Sequence, residues 1–481
     1  MNTNHDCVKI TEKAVRAYFN CVRKSYLLMF ERASSKPTDY ETVLEYRNER
    51  ARANYVASQS NQTFLNIDEL SSRPDSKGPG IIADTSIFNN LLSTETALFR
   101  VIKEKSDAEV IYYEPITFAA SYILRPEHKM EIAFAGHVLS QIRSAPILKG
   151  KVILLNKIEK TVRLPDSLKD ALPAINALSE WQASRSEAPT VLLNKHCPYC
   201  EFQHICKPIA EKEDHISLLG GIGEKELRRY GKKGIFTVKQ LSFLYRPRKR
   251  NRRLRPHPPV HKYELQALAL RTGNIYLHGE LTEIPHAETE IFVDIESIPE
   301  DSFHYLIGLV ISTSEGLNSY QFWADCEADE KSVWNDFVAL ISKYPTSPLF
   351  HYGSFERKAI QKLAKLYGTP VNPILGRLFN VNTCIFGKIY FPVRSNSLKD
   401  ICRFIGLSWS SPDASGLQSV VWRYRYGDTG DQKYQHLLLT YNYEDCENLR
   451  RLTERLRDIV ANGARSSDVR FADVEGGSLT A

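Results

Sequence analysis

The chain has 481 residues, 42% of them hydrophobic and 25% charged, with a formal net charge of +6. That length supports roughly two to four domains with cores of their own, and the composition excludes a fibrous or wholly disordered chain. No apolar run reaches the roughly eighteen residues of a membrane span, and the opening Met-Asn-Thr-Asn-His-Asp lacks a signal-peptide pattern. No membrane is therefore expected, and the cytoplasm is the expected compartment. With so small a net charge, a nucleic-acid argument rests on where the positive residues lie.

The periodicity of Val15, Tyr18, Phe19, Val22, Tyr26 and Leu27 predicts an opening helix over Ile10–Arg32, with Thr11 as its N-cap. Cys21 lies on it. Far along the chain comes Cys197-Pro-Tyr-Cys200-Glu-Phe-Gln-His-Ile-Cys206, a C-x2-C-x5-C run. Nine cysteines are an odd number, and this spacing points to metal ligation rather than disulfides. Three thiols want a fourth ligand, and Cys21, His196 and His204 are candidates.

One cysteine on an early Cys21-Val-Arg-Lys-Ser-Tyr-Leu helix with three late ones resembles RecB-like nucleases. In that group, an iron–sulfur cluster clamps the two ends of the domain. The resemblance implies Cys21, Cys197, Cys200 and Cys206 around a 4Fe–4S cluster; the spacing itself leaves zinc open. The nuclease core of such a domain needs an Asp, then an acid and a lysine two residues apart on the next strand. Gly80–Asp84 offers Asp84 as the first acid. The strand Glu109–Phe118 offers Glu114, but Ile116 stands where the lysine belongs, and a helix Lys129–Ile142 carrying Gln141 follows. The first domain thus reads as a retained scaffold with a degenerate catalytic set, and Asp84 and Glu114 as strand-end acids.

Beyond the cysteines, Gly220-Gly-Ile-Gly223 opens a short helix, and Thr237 with Gln240 makes a capping box for another. This resembles a helix–hairpin–helix element, in which amides at Gly221 and Gly223 would hold a phosphate; the plain alternative is a helical connector. Arg246, Arg248, Lys249, Arg250, Arg252, Arg253 and Arg255 then make seven of ten consecutive residues basic. Placed here, the block is expected to neutralise a nucleic-acid backbone without reading its sequence. A helix at His261–Arg271 leads onward.

In Glu290–Ile298, Ile291, Phe292, Val293 and Ile295 are strand formers, so Asp294 and Glu296, two apart, share one face. Adjacent buried carboxylates are costly unless something positive sits between them, and hard divalent cations take such oxygen ligands. Two further strands, Tyr305–Ile311 and Ser319–Trp323, follow through short loops. Next come the helix Glu330–Lys343, the strand Pro348–Tyr352 and the helix Phe355–Tyr367. Ser397-x-x-Asp400 is a capping-box pattern. Gln432–Val460 is a long helix whose apolar stripe Leu438, Tyr441, Leu449, Leu452, Leu456 and Ile459 includes Asp445. A carboxylate in that stripe needs a partner, either an arginine such as Arg423 or Arg425, or a metal shared with Asp294 and Glu296.

Asp294-x-Glu296, the His351-Tyr-Gly-Ser-Phe355-Glu356 segment and Tyr441-x-x-x-Asp445 resemble the three motifs of DnaQ-like 3′–5′ exonucleases, in their tyrosine variant. These have the ribonuclease H fold. The family's middle motif ends in Asp, and Glu356 is one methylene longer. The resemblance implies that Asp294, Glu296, Glu356 and Asp445 hold two Mg2+ or Mn2+ ions, with Tyr441 orienting water or phosphate.

The whole run from Val8 to Val460 is similar to RecB-like nucleases with a C-terminal ribonuclease H-like domain. The expected architecture is a multidomain α/β chain. A RecB-like, restriction-endonuclease-type core closed by a four-cysteine cluster spans residues 1–210, and a helix–hairpin–helix-like connector spans 211–245. A basic linker and helix occupy 246–287, a ribonuclease H-like mixed-sheet domain 288–462, and a flexible tail 463–481. The expected function is metal-dependent hydrolysis of nucleic acid, DNA rather than RNA, at the C-terminal site, with the first domain binding or routing the strand. The alternative is a non-catalytic nucleic-acid-binding adaptor in a repair, defence or mobile-element assembly with protein partners.

Overall fold

The structure, a computed structural model, describes residues 8–58, 110–121, 123–143, 146–184, 187–245, 260–298 and 303–462. It also describes the strands Ile81–Ile82, Ile87–Phe88, Leu92–Thr94, Leu98–Glu104 and Arg470–Phe471. The chain divides into two compact units, Met1–Pro208 and Ile209–Ala481. Both are mixed α/β.

In the first unit, the expected single opening helix is two: α1 (Glu12–Asn20) and α2 (Val22–Phe30). The break is local chemistry at Cys21, whose backbone is extended at φ −164° and ψ 111°. Its amide closes α1 on the Ala17 carbonyl, and its Sγ accepts from the Lys24 amide at 3.4 Å, opening α2. Then come α3 (Asp39–Ser58), β1 (Ile81–Ile82), β2 (Leu98–Glu104) and β3 (Val110–Ala119). The unit continues with α4 (Pro126–Arg143), β4 (Lys149–Leu154), β5 (Glu159–Arg163) and α5 (Leu164–Ser184), and α6 (Gln203–Lys212) runs across the division after Pro208. The strands form a five-stranded sheet in chain order, antiparallel except for the β3–β4 pair. Packing α4 on this sheet demands glycine at Gly150, where a Cβ would stand 2.9 Å from the Ile132 side chain. Ile10, Val15, Phe134, Val138, Ala171 and Leu178 close a second core between α1, α4 and α5. Asp84 lies outside the described residues.

The second unit opens with α7 (Glu224–Gly231), α8 (Val238–Ser242) and α9 (Tyr263–Thr272). Thr237 and Gln240 form the expected capping box on α8. The basic residues 246–255 lie outside the described residues. There follow β6 (Glu290–Ile298), β7 (Phe303–Thr313), β8 (Gly316–Trp323), α10 (Glu330–Ser342), β9 (Leu349–His351) and α11 (Phe355–Tyr367). The unit ends with β10 (Leu378–Asn380), α12 (Leu398–Phe404), α13 (Gly416–Thr429) and α14 (Gln432–Asn462).

The sheet order is β8-β7-β6-β9-β10, with β6, β7 and β8 antiparallel and β6, β9 and β10 parallel. An antiparallel meander extended by parallel crossovers places β6 at the centre of the sheet, where all its residues except Asp294 and Ser297 are buried. In the tail, Arg470–Phe471 pairs with Tyr276–Leu277, structure that its Ser- and Gly-rich composition does not suggest. Among the described residues, no helix is long and apolar enough to cross a membrane.

Candidate active site

Asp294 and Glu296 project from the same face of β6, as the two-residue period requires. A register shift between Glu296 and Ser297 interrupts the pairing with β7 just past the second acid, and pairing resumes at Ser297 with His304. The helix α14 crosses β6 and β7 with Leu438, Tyr441, Asn442, Asp445 and Leu449 buried beneath it. The result is that one ligand oxygen each from Asp294, Glu296 and Asp445 lies within 4.8 Å of the others.

Among the described residues, the direct hydrogen-bond donors to these carboxylates are neutral. Asn442 Nδ2 donates to Asp294 Oδ2 at 2.6 Å. The Ser419 hydroxyl donates to Glu296 Oε2 at 2.8 Å, and the Tyr305 hydroxyl reaches the same oxygen at 3.5 Å. Trp409 Nε1 donates to Asp445 Oδ1 at 2.7 Å, and the Tyr441 hydroxyl also bonds to Asp445. Of the two arginines that could have locked Asp445, Arg423 donates to the Asp325 carbonyl at 2.6 Å, amid the rings of Phe303, Tyr305, Trp323 and Tyr426, and Arg425 lies over the Tyr434 ring at 6.0 Å.

Asp445 and Glu296 are buried and Asp294 is half-buried, and with neutral partners all three hold their protons tightly. Burial, followed by the charges of Asp445, Glu296 and Glu356, raises Asp294 well above the usual carboxylate range. Burial, followed by Asp445, pushes Glu296 up to about 8. Burial brings Asp445 to about 6 against the opposing pull of Lys399 and of its hydrogen bonds. Excess negative charge in a low-dielectric pocket is the condition a divalent cation relieves, so the donor set fits hard-metal binding.

Glu356 stands apart from that group. It is buried in the first turn of α11, and His351 Nδ1 lies 3.2 Å from its Oε2. Its charge is still felt at Asp294 and Glu296. Ser354 occupies the N-cap of α11 but makes no side-chain cap bond. Asp400 follows Ser397, whose Oγ accepts its amide at 3.1 Å, and its carboxylate is taken by the Ser395 hydroxyl.

Sequence reasoning does not single out Asn442, Trp409, Ser419 or Lys399. Asn442 alone leaves a signal, since it shares the stripe of Leu438 and Asp445 at helical spacing. The Lys399 ammonium donates to the Ala414 carbonyl and lies over the rings of Tyr441 (4.3 Å) and Trp409 (5.1 Å).

In the first unit, the hinge at Cys21 meets the turn and helix carrying Cys197, Cys200 and Cys206, and the charge of Cys21 bears on each of the other three thiols. Arg23 bonds Cys206, and the Lys24 charge reaches Cys200. Burial is the larger influence and raises all three thiols, Cys200 to about 11, and among the described residues no three of these sulfurs lie within 4.8 Å of one another. Glu114 is buried on β3, and Ile116 is fully buried at the position where the motif calls for a lysine. Lys151 on β4 pairs in register with Ile116 and makes an ion pair with Glu159 at 2.5 Å. Gln141 contacts His137 at 3.0 Å.

At the glycine hairpin, the Gly220 amide donates to the Arg394 carbonyl at 2.6 Å, and the Tyr263 hydroxyl donates to the Gly221 carbonyl at 2.5 Å. Gly223 is the N-cap of α7, whose first turn carries Glu224 and Glu226.

The RNase_H_2 family model, described as RNase_H superfamily, matches residues 291–457. No curated protein matches the chain. The match spans β6 to α14 and therefore includes all three clustered carboxylates: the C-terminal part of this chain is similar to the RNase H superfamily.

Proposed function

From the similarity to the RNase H superfamily and the group of three carboxylates, we propose that the chain is a divalent-metal-dependent nuclease whose working site is C-terminal. The observation that carries this reading is the convergence of Asp294, Glu296 and Asp445 within 4.8 Å on neutral hydrogen-bond partners. Asp294, Glu296 and Asp445 would hold Mg2+ or Mn2+, with Glu356 completing the set. Two bound ions supply water activation and charge stabilisation at the leaving oxygen. Asn442, Ser419 and Trp409 fix the carboxylates for that task. Tyr441, whose hydroxyl burial keeps protonated well above its ordinary range, orients the attacking water or the phosphate.

A 3′–5′ exonuclease acting on DNA is the specific form we favour, on the resemblance of the three motifs. The first unit, with a 4Fe–4S cluster on Cys21, Cys197, Cys200 and Cys206 (zinc being the alternative metal), and the basic segment 246–255 would bind and route the strand. One observation favours the second reading, a non-catalytic nucleic-acid-binding adaptor: Glu356 is hydrogen-bonded to His351 instead of joining the group.

Purified protein and the near-isosteric Asp294→Asn, Glu296→Gln double variant are incubated with labelled single strands in magnesium, manganese or EDTA. Metal-dependent shortening that the double variant lacks supports the enzyme. Tight binding without shortening, equal in both proteins, supports the adaptor.

A further inference from the structure

The Lys399 ammonium is felt at all three carboxylates of the group, yet it is not spent on them. An ammonium on a flexible four-carbon stem beside buried acids would ordinarily collapse into a salt bridge. Here the Ala414 carbonyl and the faces of Tyr441 (4.3 Å) and Trp409 (5.1 Å) hold it instead. Of its three N–H donors, only one has a conventional acceptor among the described residues. A mere counter-charge would sit in contact with an acid; this one is kept beside the acids with donors to spare.

Its helix is pinned from several directions. Ser397 caps α12, and the Tyr352 hydroxyl donates to the Asn396 carbonyl at 2.6 Å. Arg394, at the head of the same loop, makes an ion pair with Glu211 at 2.6 Å, and its carbonyl accepts the Gly220 amide at 2.6 Å. A Cβ on Gly220 would stand 2.4 Å from Ser395 Cβ, so the glycine hairpin is pressed directly against the loop that starts Lys399's helix.

We infer that Lys399 is a catalytic residue of this site, its ammonium contacting a non-bridging oxygen of the scissile phosphodiester, and that the glycine hairpin is the buttress that positions it. This rests on the nuclease reading. In the hydrolysis the oxygen of water bonds to phosphorus. The bond from phosphorus to the leaving nucleoside oxygen breaks with its electron pair on that oxygen, which takes a proton from solvent, while the attacking water releases one to solvent. Lys399 stays an ammonium throughout and balances the charge gathering on the phosphoryl oxygens.

The test pairs Lys399→Met with substrate chemistry. In calcium, affinities are measured for a short single-stranded DNA oligonucleotide and for versions carrying one neutral methylphosphonate at the 3′-terminal or the 5′-terminal linkage. The wild type should lose at least fivefold in affinity at one of these linkages and Lys399→Met should lose less than twofold there, because the ammonium that met that phosphate is already gone. In manganese, Lys399→Met should lower kcat about 100-fold, the scale of one removed transition-state donor, with the manganese titration midpoint unchanged within twofold. Lys399→Arg should recover part of the rate. Equal methylphosphonate effects in both proteins at both linkages, or a shifted manganese midpoint that accounts for the rate, overturn the inference. The binding cycle reads the phosphate contact without turnover, so a wild type that cuts nothing counts against the nuclease reading alone.

Discussion

Gly308 faces Asp294 across the β6–β7 ladder, and the amide of Asn442 occupies the space its missing side chain leaves. A Cβ there would lie 1.7 Å from Asn442 Oδ1. Gly308→Ala must therefore push Asn442 away and break its 2.6 Å bond to Asp294. Losing a hydrogen bond to a buried charged group costs about 1.5–3 kcal/mol, so manganese affinity should fall roughly tenfold or more by titration, and Asn442→Ala should reproduce most of the loss.

The acids themselves give a pH dependence. A carboxyl whose folded pKa lies above its unfolded value binds protons in the native state, so its contribution to stability is full below the unfolded pKa and is lost as pH rises through the folded one. For Glu296 that window runs from 4.5 to about 8. In EDTA, the melting temperature should fall as pH climbs through this window, and manganese should raise it most at the alkaline end, where the carboxylates are free to bind. A manganese shift as large at pH 5 as at pH 8 would contradict the assignment.

At this scale, Asp294, Glu296 and Asp445 are legible in the sequence because two periods, of two and of three to four residues, put them on buried faces. Ser419 and Trp409 are not, since only the fold brings α13 and the segment after α12 to the acids. Glu356 is legible as an acid near the site but not as His351's partner, because that pairing depends on how α11 leaves β9.

Elements carry a different kind of information. The strands and helices from β6 to α14 follow their hydrophobic periods closely, and α10, α11 and α14 fall within a few residues of where the sequence places them. The opening helix reads as continuous because Cys21 interrupts no apolar spacing; what breaks it is a thiol acting as a cap. That cap sets Cys21 at the junction of α1 and α2, where its charge bears on the other three cysteines. Replacing Cys21 or Cys197 with Ser should strip iron or zinc from the purified protein, as read by elemental analysis and visible absorbance. Cys402→Ser should leave the metal content intact, since that thiol is buried at α12 and contacts the Asn448 carbonyl.

The hairpin makes a prediction of its own. Gly220→Ala drives a methyl into Ser395, including its Cα at 3.0 Å, and backbone yields less easily than a side-chain tip. Displacing the start of α12 by even a fraction of an ångström should cost about tenfold or more in kcat, given how steeply rate depends on the placement of catalytic groups. Manganese affinity, which depends on β6 and α14, should hold. Turn chemistry marks these glycines as notable in the sequence. It cannot show that Gly220 serves a contact with the Arg394–Ser395 loop of its own unit.

For the whole molecule, charge distribution matters more than the total of +6. Seven basic residues lie between Arg246 and Arg255, against a chain otherwise near balance. If they neutralise phosphates, binding releases counterions, and the slope of log affinity against log salt shrinks by roughly 0.7 for each single-strand phosphate no longer neutralised. Changing all seven to Gln should therefore weaken single-strand binding at low salt and flatten the salt dependence by several units of slope. The effect should be the same for oligonucleotides of unrelated sequence, because backbone contacts carry no base information. Cleavage of a dinucleotide, which reaches only the carboxylates and Lys399, should be little changed. A variant that keeps the wild-type salt slope while losing dinucleotide cleavage would reverse the assignment, making the segment a structural support of the active site rather than a track for the strand.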